Sequence, residues 1–330
     1  MTIQVTIIGL GQIGSSAGMA LAKYKKDIVR VGHDKLREAV IYAQEHGAID
    51  KTALTLSGAV KDADIVLLAL PMQEILPIVE HISQDLKEGA LVVDTAPLKT
   101  PLIQLIEDLL PDSVNYISIT PVVKADYLDE IQHGYETAHE DLFANSLMGV
   151  IVNQNADEKA VNMTVNLIQL LGASPYFIDA AEMDGVMSTI HLMPQLLAAV
   201  MLDISQNSPG WQEARKFAGK HFSQMTNSFG KDEMGGELAT WMQLNSENTI
   251  RLIDDLIGAL EQLREKASAV DREALLETFE KLQLDREIWL DERADSPWTS
   301  AEKNPLPERR GMLSQLLGFR KFKPSGEDSE

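Results

Sequence analysis

Three glycines and one carboxylate carry the plainest chemistry in this chain of 330 residues. The apolar run Val5-Thr6-Ile7-Ile8 breaks into Gly9-Leu10-Gly11-Gln12-Ile13-Gly14, and Ser15-Ser16-Ala17-Gly18-Met19-Ala20-Leu21-Ala22 continues it as a helix. A strand that turns sharply into a helix needs a residue without a Cβ at Gly9. Gly11 leaves the backbone open to an approaching pyrophosphate, and Gly14 lets the helix pack closely on the strand. The first turn of that helix, with Gln12 and Ile13, presents unpaired N–H groups and a partial positive charge to phosphate. Twenty residues past Gly14, a second strand, Ile28-Val29-Arg30-Val31-Gly32, runs into His33-Asp34. The Asp34 carboxylate accepts from an adenosine 2′-hydroxyl and repels a 2′-phosphate, so NAD is expected in preference to NADP.

Further candidates lie where strands end. The run Asp64 to Leu70 stops at Pro71, and Ala90 to Asp94 leads into Thr95-Ala96-Pro97-Leu98-Lys99. Ligands of a parallel sheet lie beyond the carboxyl ends of its strands, which makes Leu70, Pro71 and Asp94 candidates for cofactor contact. Lys99 either binds a substrate carboxylate or holds Asp94. Lys124, four residues after Thr120, is a candidate proton acceptor of the lowered-pKa lysine kind, against the ordinary reading of a solvated loop lysine. His191 sits on an apolar helix and is either a site residue or a hydrogen-bonded core residue. No His, Asp or Glu group shows metal-ligand spacing, and no metal is expected. The absence of cysteine removes thiolate nucleophiles and disulfides.

These residues need a scaffold, and the patterning supplies one. Short β-type runs alternate with helical ones through Met148-Gly149-Val150-Ile151-Val152, the signature of a Rossmann-type, doubly wound parallel sheet covered on both faces. Tyr176-Phe177-Ile178 reads as a short closing strand. Long helices follow: Asp157 to Leu171, Glu182 to Ser205, about Ala239 to Lys266, and Arg272 to Asp291. The second is apolar nearly all round, which predicts a helix buried on every side and a subunit interface. The expected division is a dinucleotide-binding domain over 1–155, a helical substrate domain over 156–293, and a polar tail over 294–330 with one short helix near Met312 to Leu317. With 29 basic against 50 acidic residues and a net charge of -21, the chain repels a phosphate backbone, and no nucleic-acid partner is expected. No charged leader with an apolar stretch opens the sequence. The patch from Ile190 to Ile204 carries His191, Pro194, Gln195 and Asp203, which suits a buried helix better than a membrane span, so a cytoplasmic protein is expected.

Over about residues 1 to 265 the chain resembles the prephenate and arogenate dehydrogenase family of tyrosine biosynthesis. The resemblance rests on the glycine turn followed by Ser15, the strand ending Ala69-Leu70-Pro71, the Asp94-to-Lys99 segment, and Phe143 ahead of the Val150 strand. Asp184 seven residues before His191-Leu192, with Trp241 and Asn248 farther on, completes it. It implies an all-helical dimerisation domain, hence a homodimer, and a small carboxylate substrate. It also implies a reaction in which a ring carbinol gives hydride to the nicotinamide, a histidine takes the hydroxyl proton, and loss of the ring carboxyl restores aromaticity. Three positions depart from the pattern. The family's histidine before a proline falls on Thr120-Pro121, its serine falls on Pro97, and its substrate arginine falls in a stretch before Trp241 whose one cation is Lys231. Thr120 can orient a substrate but cannot act as a base near pH 7. His191 is the best remaining imidazole, and Lys99 and Lys231 are the candidate carboxylate binders. Three readings stay open: a dehydrogenase of prephenate or arogenate, a dehydrogenase of another small carboxylate, and a catalytically silent paralogue that binds NAD or NADH.

Overall fold

The computed structural model describes residues 2–130, 134–153, 155–229 and 234–296. Lys231 and the expected tail helix lie outside the described residues.

Eight strands form one sheet in the order β3-β2-β1-β4-β5-β6-β7-β8. They are β1 (Ile3–Ile8), β2 (Ile28–His33), β3 (Lys51–Thr52), β4 (Ile65–Leu68), β5 (Leu91–Asp94), β6 (Asn115–Pro121), β7 (Leu147–Ile151) and β8 (Ser174–Phe177). Pairing is parallel from β3 across to β6; β7 runs antiparallel to β6 with Thr120 opposite Gly149, and β8 runs parallel to β7. Every residue of β4 and β5 is buried, as a parallel sheet covered on both faces requires. Successive side chains serve opposite layers. Ile7, Leu67 and Val93 enter one core, and their neighbours Ile8, Leu68 and Val92 enter the other. The covering helices are α1 (Gln12–Leu21), α2 (Arg37–Glu45), α3 (Leu56–Val60), α4 (Met72–Ile82), α5 (Thr100–Leu109) and α6 (Glu158–Leu170). The strand order reverses between β1 and β4, which opens a crevice at their carboxyl ends.

Beyond the sheet come α7 (Ala180–Met187), a five-residue π turn (Ser188–Leu192), α8 (Met193–Gln206), α9 (Trp211–Phe217), α10 (Lys220–Thr226), α11 (Met234–Leu244), α12 (Ser246–Ser268) and α13 (Arg272–Asp295). This is the expected α/β class, a mostly parallel sheet followed by a helical region.

Several particulars differ from the sequence reading. The sheet and its covering helix α6 continue to Phe177, past the division at 155, because the closing strand β8 pairs with β7. The short β3, α3, α9 and α10 carry too few residues for a periodic signal. The long helix expected from Ala239 is split at Asn245, whose side chain donates to Ser188 Oγ (3.2 Å) and accepts from Asn248 Nδ2 (2.8 Å). Asn competes in this way with helical backbone bonding. The apolar run Ala180–Gln206 is long and apolar enough to cross a membrane by composition. Met183, Met187, Leu192 and Leu196 instead join the buried cluster that contains Met72 and Leu98. It is not buried on every side, since Ile190 (64% exposed), Val200 and Ile204 form an outward apolar stripe in the single chain.

The two halves meet at the start of α5. That helix has no side-chain cap of its own. The buried Asp184 of α7 supplies one from outside, its Oδ1 accepting from Lys99 N–H (2.6 Å) and its Oδ2 from Thr100 N–H (2.9 Å). Removing both acceptors leaves two amides of a helix start unpaired inside the protein. Asp184→Ala is expected to lower the unfolding free energy by about 2–3 kcal/mol, and Asp184→Asn by less, since the amide oxygen keeps one bond. Urea denaturation midpoints of the three proteins measure this.

Candidate active site

The glycine turn is built as its residue types require. Gly9 has φ +92, where a side chain is strained, and a Cβ there would lie 2.2 Å from the Ala69 carbonyl oxygen of the adjacent strand end. A Cβ on Gly14 would lie 1.9 Å from the Gly9 carbonyl oxygen. Gly11 differs: a Cβ there would have nothing within 4 Å. Packing therefore does not demand glycine at Gly11, whereas a group approaching the backbone from outside would. Gly11 also forms the start of α1 with no side-chain cap, so the N–H groups of the first turn point into that open space. Gln12 and Ile13 belong to this turn. The Gln12 amide donates to Thr137 O (3.1 Å), and Ser16 Oγ accepts from His139 N–H (3.0 Å), which stitches the segment after β6 onto α1. Asp34 stands at the end of β2, its Oδ2 accepting from Leu10 N–H (2.6 Å) and its Oδ1 from Leu36 N–H (2.7 Å). The carboxylate is thus fixed against the turn. Leu70 lies beside Gly9, and Pro71 precedes α4 at the same edge. This cradle fits the diphosphate and ribose of a dinucleotide.

Two expected site residues prove internal. Asp94 is fully buried, with Oδ1 accepting from Ala96 N–H (2.7 Å) and Oδ2 from the Tyr116 hydroxyl (2.6 Å). Its carboxylate faces β6 rather than a ligand. Lys99 is likewise 0% exposed, its ammonium donating to Ser118 Oγ (2.8 Å) and Ile119 O (2.7 Å), with Asp94 3.9 Å away. Burial pushes the Lys99 pKa down to about 8, against the opposing pull of Asp94 and Asp184. Of the two roles the sequence left open for Lys99, the structural one is realised; the substrate-binding one is corrected, because its ammonium is already used inside the sheet. Lys124 is corrected as well. Ion pairs with Asp126 (2.5 Å) and Asp141 (3.0 Å) hold its pKa well above the ordinary lysine value, the reverse of what a general base needs.

Thr120 and His191 lie nearer the helical region. Thr120 is buried at the end of β6, and its Oγ1 has no hydrogen-bond partner among the described residues. Across from it, Gly149 makes room for Met183 of α7, whose methyl would lie 2.5 Å from a Cβ there. His191 occupies the π turn, its ring 5.5 Å from that of the buried Trp241, and its Nε2 is 3.1 Å from the Gln195 amide nitrogen. Burial holds the His191 pKa below 6.5, so the imidazole is neutral at neutral pH. Trp241 Nε1 also lacks a partner among the described residues. Sequence reasoning missed the capping role of Asp184 and the Tyr116–Asp94 bond. Both join residues far apart in the chain and leave no local signal.

Comparison with known proteins places this geometry. Residues 17–176 match the family model for the prephenate dehydrogenase nucleotide-binding domain, and residues 179–281 match that for the prephenate dehydrogenase dimerization domain. The chain belongs to the prephenate dehydrogenase family. It is 23% identical to the prephenate dehydrogenase of Bacillus subtilis over 96% of this chain and 84% of that one. Against the prephenate dehydrogenase of Lactococcus lactis it is 26% identical, over 96% and 86%. The cyclohexadienyl dehydrogenase of Zymomonas mobilis is 22% identical over 84% and 93%. Among solved structures, that of Aquifex aeolicus prephenate dehydrogenase in complex with hydroxyphenyl propionate and NAD+ superposes with a TM-score of 0.73 at 21% identity. It covers 87% of this chain and 98% of that one. Synechocystis arogenate dehydrogenase gives 0.65 at 21%, over 87% and 100%.

Two outcomes follow for this family member. Gly11→Ala is expected to keep the wild-type urea midpoint, since its Cβ meets nothing, while weakening NAD binding by about tenfold or more by calorimetry. In addition, the folded His191 pKa is depressed, so the unfolded chain binds the proton more readily. Stability from this group is full above about 6.5 and is lost as pH falls toward the lower folded value. His191→Gln should flatten that acid limb of a stability-against-pH curve.

Proposed function

We propose that this chain is an NAD-dependent dehydrogenase of a cyclohexadienyl carboxylate, prephenate or arogenate, working in the cytoplasm as a homodimer. The observation that carries the reading is a neutral imidazole, His191, set in a π turn against a buried tryptophan in the family's helical region. π turns concentrate at functional sites. Nicotinamide, when bound at the glycine turn, supplies the hydride acceptor. His191 takes the hydroxyl proton on Nδ1 as the carbinol is oxidised, while the contact of its Nε2 with the Gln195 side-chain amide fixes the rotation of its ring. The Thr120 hydroxyl, without a protein partner among the described residues, is available to orient the substrate oxygen. With Lys99 and Lys124 both committed elsewhere, Lys231 is the proposed carboxylate binder. Asp34 favours NAD over NADP by repelling a 2′-phosphate. The outward stripes, Ile190 of the π turn with Val200 and Ile204 of α8, and Ile250, Ile257 and Leu260 of α12, supply the apolar surface of a subunit contact.

A second reading rests on a specific observation: Thr120 stands where the family carries its base, and Lys124, the lysine expected to replace it, is held in ion pairs with Asp126 and Asp141. On that reading the chain binds NAD or NADH without turnover.

Soluble protein given NAD with prephenate or arogenate is expected to form NADH, followed by absorbance at 340 nm. His191→Asn should lower kcat by about a hundredfold or more with NAD affinity unchanged. Because the base must be neutral, kcat/KM should fall as pH drops below a pKa under 6.5 and stay level above it. NAD binding with no NADH from either substrate would transfer the assignment to the silent reading.

A further inference from the structure

We propose that Asn245, at the corner between α11 and α12, is the positioning residue that holds His191 in place by pinning the π turn against α11; the inference rests on the reading of His191 as the base. The π turn hangs on its first residue. Ser188 O accepts from Met193 N–H, five residues on, and the Ser188 hydroxyl donates back to Asp184 O (2.6 Å). Back-bonding of this kind bends a helix where it occurs. Asn245 reaches Ser188 from outside, its Nδ2 donating to Ser188 Oγ (3.2 Å), while its own backbone N–H donates to the Trp241 carbonyl (2.8 Å). One residue thus ties the start of the π turn to the end of α11. His191 lies three residues past Ser188 and its ring stands 5.5 Å from that of Trp241, so the two attachments of Asn245 set the distance between imidazole and indole.

A side-chain amide is what this corner takes, and its orientation is dictated from the surface. The exposed Arg251 carries donors alone. Its Nη2 donates to Asn248 Oδ1 (2.7 Å), which turns the Asn248 amide nitrogen toward Asn245 Oδ1 (2.8 Å) and leaves the Asn245 nitrogen to face Ser188. The donors of Arg251, Asn248, Asn245 and Ser188 therefore all run one way, ending on the carbonyl of Asp184. In a string with one direction each bond polarises the next. A carboxylate at position 245 would keep the bond from Asn248 but offer Ser188 no donor, and an apolar side chain would break both. A π turn is rare because regular helical bonding is the better alternative for an isolated segment. Without the Asn245 bond the segment takes up that alternative, and the imidazole loses its place beside Trp241.

The test uses the full chain with ring-labelled histidine and NMR, His191 being assigned as the one of seven histidine signals lost in His191→Asn. In the wild type its titration is centred below 6.5, since burial disfavours the charged ring, and its C–H resonance is displaced by the Trp241 ring current. Asn245→Ser keeps a residue suited to start α12 but is too short to reach Ser188. It should bring the midpoint up to about 6.5 and remove the displacement. Ser188→Ala removes the bond from the other side and should act alike, with the double variant no further changed. In each, kcat for NADH formation should fall about tenfold with substrate KM kept, and unchanged NAD titrations would show the fold intact. Arg251→Met, at the exposed head of the string, should move the midpoint the same way by a smaller amount. An unmoved His191 midpoint and resonance in the folded variants would overturn the proposal; should neither inner variant bind NAD, an unmoved midpoint in Arg251→Met overturns it equally. A displaced His191 with kcat kept, or no NADH from the wild type, would remove the base reading and leave the positioning role to be decided by the NMR signals alone.

Discussion

The carboxylate of Asp184 is the constraint through which sheet and helices act as one body. It reaches from α7 into the sheet half and satisfies the first amides of α5, directly after the buried Lys99. Lys99 in turn ties the loop after β5 to β6 through Ser118 and Ile119, while Asp94 is held by Tyr116 from the same strand. The carboxyl ends of β5 and β6, the entry of α5 and the first helix of the helical domain are therefore one polar network buried in apolar surroundings. In such a medium each paired group is worth more, and each orphaned one costs more, than at the surface. The position of Thr120, two residues past Ser118 on β6, is inherited from that network.

The geometry also separates two jobs that the sequence placed close together. Nucleotide binding rests on backbone: open space over Gly11, bare amides of α1, and an acid at Asp34 braced by two N–H groups. It is local, and its parts lie within a few dozen residues of one another. The side chains proposed for substrate chemistry are brought in by other elements, above all the π turn, beside Trp241 of α11.

How much was legible in the sequence follows from the same contrast. Gly9, Gly11, Gly14 and Asp34 were readable because a turn, a helix start and a strand end fix their roles within a few dozen residues. The strand series was readable because doubly covered strands are apolar throughout. Lys99 was only half readable, since nothing nearby in sequence reveals that Ser118 and the Ile119 carbonyl enclose its ammonium. For Lys124 one partner, Asp126, stood two residues away and the other, Asp141, far off, so its pairing was hidden in the same manner. For α8 the sequence could not divide core from subunit interface, because composition records how apolar a helix is, not how many of its faces the single chain covers.

The π turn has a geometric consequence of its own. One extra residue in a helix turns everything after it by about 100° relative to an uninterrupted spiral. The methionines of α7 that face Gly149 and the core, and the Val200–Ile204 ridge that faces outward, owe their relative azimuth to the five residues Ser188–Leu192. Losing one residue there would leave composition and helix length almost untouched, yet it would swing that ridge away from any mate and drive polar positions of α8 into the interior. The phase of a single turn thus decides which side of a 27-residue rod belongs to its own chain and which to the outside.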